Sequence, residues 1–294
     1  MIEISEFSKS YSGKILAVDK LNLSVSEGEI FGFIGPNGAG KTTTIRALVG
    51  HLKASSGRVI VFGKDAWSEG MEIRHRIGYL PGDLYLYKKE SARSLIGYFD
   101  KIRGVDTSSN LKLLAKRFDL DLDRPIGALS KGNRQKVGLI QALCHNPDLI
   151  ILDEPTTGLD PLLQQEFVEI IDEIRDQGGT VFLSSHLLDE VERVADRIGL
   201  IQDGRLAQVV TINELRAQAK QMIEIYFDQP VSSAEFANLA CVSNLNINGN
   251  ILKCKTTGSI DALVKIAAKY TIIYIRSESQ DLEELFLDMY RKKD

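Results

Sequence analysis

The sequence predicts an α/β protein: a mostly parallel, helix-covered sheet with a helical insert, followed by a small α+β module. Three observations carry this reading. The runs "EIFGFIG" and "LIILDEP" are all-apolar, end on polar or glycine-bearing turns, and lead into helical periodicity, as buried strands joined by crossovers do. From about Ser91 to Asn146 apolar positions recur three and four apart. After Lys220 the runs fall in the order β-α-β-β-α-β.

The elements follow in order. "IEISEF" and "LAVDKLNLSV" read as short strands, and "EG" turns the chain into "EIFGFIG". "KTTTIRALVG" is a helix that Gly50 closes, "GRVIVFG" a strand, and "HRIGYLP" a short strand ended by Pro81 and Gly82. "SARSLIGYFDKI", "NLKLLAKRF" and "KGNRQKVGLIQALC" are the insert's helices, giving a helical subdomain over about 83–146. "LIILDEP" returns to strand, "QQEFVEIIDEIRDQGG" to helix and "TVFLSSH" to strand. The expected domains are 1–219 and 220–294. The second is a ferredoxin-like accessory module, regulatory or dimerising, closed by a final helix in "QDLEELFLDMY".

Composition excludes several roles. A net charge of −4 over 294 residues offers no broad attraction to nucleic acid or acidic lipid, so no nucleic-acid partner is expected. Cys144, Cys241 and Cys254 show no metal or redox spacing and read as free thiols of a reducing cytosol. No secretory leader is visible, and no apolar run approaches the ~20 residues that cross a bilayer.

"GPNGAGKTT" at 35–43 fits G-x-x-x-x-G-K-[ST] between a strand and a helix. Along Gly35-Pro36-Asn37-Gly38-Ala39-Gly40, successive backbone N–H groups can face phosphate oxygens, with a helix N-terminus adding positive potential. Lys41 is expected on the β and γ phosphates, the Thr42 hydroxyl on Mg²⁺, and Thr43 on the α phosphate. Asp153 ends a buried strand as the second Mg²⁺ partner, and Glu154 beside it orients or deprotonates an attacking water. Alone, such an acidic pair reads as a solvated turn; with the phosphate loop it reads as a site. His51, His75 and His145 read as surface or capping residues, whereas His186 ends a strand at the ligand edge and can donate to the γ phosphate.

A second turn, "LSKGN" at 129–133, opens a helix without a loop of its own to serve. Together with "GPNGAGKTT", "LIILDEPTTGLDP" and "SSH", in that order, it resembles the ATP-binding cassette family over about residues 1–219. The resemblance implies a P-loop ATPase core using ATP and Mg²⁺. It also implies that Ser130 and Gly132 close over ATP held by a second copy or a homologous cassette, head to tail. Asp160 resembles the contact residue of the loop crossing that interface. Tyr11 resembles the aromatic that stacks on adenine, its other reading being a core strand aromatic.

Two departures stand out. Lys131 replaces a usual glycine and Asn133 a usual Gln, while Gly82 stands where the family has Gln or Glu, leaving Asp83 or a water to fill the place. The resemblance implies the cytosolic motor of an exporter, of the bacterial antibiotic and drug-efflux type. Such a motor is held on the inner face of the cell membrane by an integral-membrane permease that the region 83–105 contacts. The rival classes are a soluble cassette ATPase acting on ribosomes or nucleic acid, and a regulatory dimer.

Overall fold

The computed structural model describes residues 1–11, 15–218 and 221–279; the helix expected in "QDLEELFLDMY" lies outside them. The chain divides into two units at Val210/Thr211, so Thr211–Gln218 cluster with the second unit and not, as expected, with the first. The strand after Lys220 carries the change in texture, and the short helix before it carries none.

In the first unit the chain forms β1 (Ile2–Tyr11), β2 (Ile15–Val25), β3 (Ile30–Ile34), α1 (Lys41–Leu48), β4 (Ser56–Val61) and β5 (Lys64–Asp65). Next come α2 (Gly70–His75), β6 (Ile77–Leu80), α3 (Ala92–Arg103), α4 (Ser108–Arg117), a 3-10 turn at Ile126–Ala128 and α5 (Lys131–Leu143). β7 (Leu149–Asp153), α6 (Pro161–Asp176), β8 (Thr180–Ser185), α7 (Leu188–Glu192), β9 (Arg197–Gln202) and β10 (Arg205–Thr211) complete it.

Six strands order as β10-β9-β3-β8-β7-β6, and β9-β3, β3-β8, β8-β7 and β7-β6 all pair parallel. Every residue of β3, β7 and β8 is buried, which is why these strands read as continuous apolar runs. Phe31, Phe33 and Phe182 pack their rings between β3 and β8, with centroids 5.7 and 5.4 Å apart. The strands read at the amino end belong to a different layer, an antiparallel sheet of order β2-β1-β4-β5. Their alternation of buried and exposed residues fits a sheet wetted on one face.

The β9–β10 hairpin ties the two sheets together. Its turn, Asp203-Gly204, takes φ of 48° and 78°. The Gly204 N–H donates to Ala39 O at 3.1 Å, its carbonyl accepts from Asp19 N–H at 2.8 Å, and the Arg205 guanidinium reaches the Asp19 carboxylate at 2.6 Å.

The helical region holds one departure from expectation. His145 follows α5 half-buried rather than on the surface, its Nε2 3.3 Å from Ile77 O and its Nδ1 without a partner. Burial first, then the nearby Arg103 charge, hold its pKa down at about 4.

The second unit adds α8 (Ile212–Gln218), β11 (Gln221–Phe227), α9 (Ser233–Phe236), β12 (Val242–Asn248), β13 (Ile251–Thr256), α10 (Asp261–Ala267) and β14 (Ile272–Ser279). Its sheet orders as β12-β13-β11-β14, every neighbouring pair antiparallel. Ile223, Ile225, Phe227, Phe236, Leu252 and Leu263 form a core of its own. Cys144 and Cys254 are buried free thiols, and burial pushes Cys254 up to about 11, which keeps it unreactive.

Candidate active site

At the carboxyl ends of β7 and β8 three polar residues, Asp153, Ser184 and Ser185, enter the sheet fully buried. This is the edge where open parallel sheets hold ligands. The loop from Gly35 to Gly40 leaves β3 at the same edge. Gly40 precedes α1 at φ 109°, where a Cβ would stand 2.6 Å from Ala17 O, so only glycine fits. No side chain caps α1, leaving its first N–H groups for an anion. Pro36, Asn37 and Gly38 form the exposed rim of the loop, and Ala39 is its buried anchor.

Lys41 lies only 6% exposed, with Nζ donating to Gly35 O at 2.6 Å and Pro36 O at 3.2 Å, and 3.4 Å from Glu154 Oε1. Thr42 Oγ1 donates to Asp153 Oδ2 at 2.8 Å, and Ser184 Oγ donates to Asp153 Oδ1 at 2.6 Å. Glu154 sits in left-handed backbone at φ 53°, its N–H donating to Ser184 O and Oγ, each at 3.2 Å. Its Oε2 is 2.6 Å from His186 Nδ1. A groove of about 470 Å³ is lined by Lys41, Thr42, Thr43, Asp153, Glu154 and His186 among others. A larger groove of about 620 Å³ beside Asp148 and Gly178 gathers none of the expected residues. Residues far apart in the sequence, from Lys41 to His186, thus line one groove.

The donor set fits Mg²⁺. Thr42 and Asp153 offer hard oxygens side by side on the groove. Among the described residues no group of three or more His, Cys, Asp or Glu makes a cage for a metal alone. That suits an ion bound through one or two protein oxygens and its substrate's phosphates.

The ABC transporter family model matches residues 18–157. Over 227 residues the chain is 35% identical to the bacitracin transport ATP-binding protein BcrA of Bacillus licheniformis, covering 76% of this chain and 74% of that one. The chain belongs to the ABC transporter family. An uncharacterized ABC transporter ATP-binding protein, YhcH of Bacillus subtilis (strain 168), is 32% identical over 295 residues, spanning 98% of this chain and 95% of its own length. A solved ATP-binding subunit of an ABC transporter superposes with a TM-score of 0.69 at 28% identity, covering 74% of this chain and 92% of that one. The ABC core is an ATPase that uses ATP and Mg²⁺.

Of the other residues singled out in the sequence, Ser130, Gly132, Asp160 and Tyr11 do not line this groove, whereas Gly82, Asp83 and Lys131 do. Ser130 caps α5, accepting from Asn133 N–H at 3.2 Å, and is exposed. Gly132 lies in the first turn of the same helix. Asp160 caps α6 in the same way, accepting from Leu163 N–H at 3.1 Å, and is exposed. Tyr11 ends β1 at 42% exposure with Lys9 Nζ 5.6 Å from its ring centroid, and is not a core aromatic. Gly82 and Asp83 line the groove, and a Cβ on Gly82 would stand 3.1 Å from Asp153 Oδ2. A side chain at 82 would therefore press on the Asp153 carboxylate, which would have to give by a few tenths of an ångström. Two further residues support this site: Ser184, which fixes Asp153, and Gln135, which reaches the backbone of Glu154. The "SS" before His186 was a visible signal for the first; nothing in the pattern marked the second.

Proposed function

We propose that this chain is the ATP-hydrolysing motor of an exporter whose pathway is supplied by a separate integral-membrane permease. It works as a head-to-tail pair with a second copy or a homologous cassette. The observation that carries the proposal is the split between a complete phosphate groove and two exposed helix caps, Ser130 and Asp160, which do not line it, while Lys131 next to Ser130 reaches its rim. A helix N-terminus with an exposed hydroxyl is suited to phosphate on another molecule. The transport names of its relatives and the lack, among the described residues, of any helix able to cross a membrane support a partner-borne pathway.

In this reading Lys41 leaves its carbonyl partners for the β and γ phosphates, the loop's N–H groups and Thr43 hold the remaining oxygens, and Tyr11 stacks on adenine. Thr42 and Asp153 would hold Mg²⁺, which when bound would neutralise charge on the β and γ phosphates. Glu154 orients the attacking water and accepts its proton, while His186, beside the Glu154 carboxylate, donates toward the γ phosphate. Ser130 and Gly132 contact the partner's γ phosphate, and Asp160 crosses the interface. ATP closes the pair and hydrolysis reopens it, which levers the permease on the inner membrane face. The module after the cassette serves regulation or dimerisation.

The test is a pull-down of the tagged chain from detergent-solubilised membranes and, separately, from cytosol. The expected result is a stoichiometric polytopic protein from the membrane fraction. Recovery only from cytosol, with ribosomes or nucleic acid, would overturn the exporter reading and leave the ATPase standing.

A further inference from the structure

Helix α5 begins at the Ser130 turn and also reaches Glu154 of its own chain. Gly132 and Gln135, three residues apart, share one face of the helix, and that face meets the loop running on from Glu154. A Cβ on Gly132 would stand 2.6 Å from Gly158 O, so helix and loop backbones touch with no side chain between them. Gln135, 8% exposed, donates from Nε2 to Pro155 O at 3.1 Å and to Glu154 O at 3.4 Å. Glu154 is a non-glycine residue held at φ 53°, a backbone that persists only when its surroundings over-determine it. Its N–H is fixed from one side by Ser184, and its carbonyl faces Gln135 from the other.

The next residue extends the same tie. Lys136, 7% exposed, donates from Nζ to the carbonyl of Asp119, which itself takes φ 48° at the end of α4. The start of α5 is therefore bound both to the helical region and to the Glu154 turn. It cannot shift without moving one of them.

We propose that Gln135 is a positioning residue for Glu154. The Gly132–Gln135 face couples the outward start of α5, where a partner's nucleotide would press, to the Glu154 carboxylate at this chain's own groove. This rests on the reading of Glu154 as the residue that activates water. Pressure on Ser130 then reaches Glu154 through two backbone carbonyls, and the two nucleotide sites of a pair are linked inside each chain.

The experiment compares full-length wild type, Gln135→Met, Glu154→Gln and the double variant for ATPase kcat and for affinity toward a fluorescent ATP analogue. Methionine keeps the length of the side chain and removes the donor. The expected result for Gln135→Met is a kcat loss of roughly tenfold with nucleotide affinity within about twofold. In the Glu154→Gln background the same change should cost nothing further. The milder Gln135→Asn, whose amide falls short of both carbonyls, should lose kcat likewise and serves if the methionine variant does not fold. Unchanged kcat in both Gln135 variants, or an equal loss with and without Glu154, would overturn the proposal. Full activity of Glu154→Gln would instead sink the water-activation reading beneath it.

Discussion

Removing a single buried oxygen, by Ser184→Ala, should destabilise the cassette by about 2 kcal/mol. Ser184 is fully buried and its Oγ donates to Asp153 Oδ1 at 2.6 Å, while Thr42 alone donates to the other carboxylate oxygen. A hydrogen bond to a charged group contributes roughly 1.5–3 kcal/mol, and Asp153, itself fully buried, would keep only one donor. The Glu154 N–H retains Ser184 O at 3.2 Å, so its loss is secondary. No larger cavity forms, because only one atom leaves. Urea unfolding gives the number: with a slope of about 2 kcal/mol/M, the midpoint should fall by about 1 M and the slope should not change. A cycle with Asp153→Asn should return a coupling of about 1–2 kcal/mol. A freed Asp153 carboxylate should also weaken Mg²⁺-dependent ATP binding by up to roughly tenfold. A midpoint within about 0.2 M of wild type, or independent effects in the cycle, would refute the argument that Ser184 anchors the carboxylate.

Two further outcomes can be measured. Glu154→Gln should cut ATP turnover by on the order of 10²–10⁴ with binding preserved, and should accumulate the ATP-bound pair in light scattering; near-normal hydrolysis would remove Glu154 from its role. His145 is held at about 4 when folded but titrates near 6.5 when unfolded, so its neutral form costs nothing above pH 6.5 and stability drains away as pH falls toward 4. After discounting for partial exposure the loss is about 1–2 kcal/mol, and His145→Phe should flatten the decline in urea midpoint between pH 7 and 4.5; parallel curves would remove the effect from His145.

What could be read in the sequence was what local chemistry dictates. "GPNGAGKTT" and "LIILDEP" name their own roles, because φ at Gly40 and burial of β7 each restrict residue type at adjacent positions. The order of strands could not be read so directly. β1 and β2 look like any half-buried strands, and only the antiparallel pairing of β1 with both β2 and β4 sets them in a separate layer. The strands β9 and β10 carry an ordinary Asp-Gly hairpin signal in "IQDGRL", which says nothing of β9 lying beside β3 in the sheet. His145 looked like a surface residue because its neighbours in sequence are polar, whereas its neighbours in space are Ile77 O and Arg103. Gln135 escaped for the same reason: its partners are backbone carbonyls from another element.

A two-residue hairpin tip is where one would ordinarily splice an epitope, a fluorophore cysteine pair or a fusion partner. At Asp203-Gly204 that instinct fails. The exposed Asp203 invites an insertion, yet the next residue is buried and its backbone is sewn to Ala39 on one side and Asp19 on the other. Lengthening the tip by a few residues would pull a stitch from the phosphate loop, and a reporter placed there would record its own damage to ATP binding. The rim formed by Pro36 to Gly38 is no safer, because those three residues line the groove themselves.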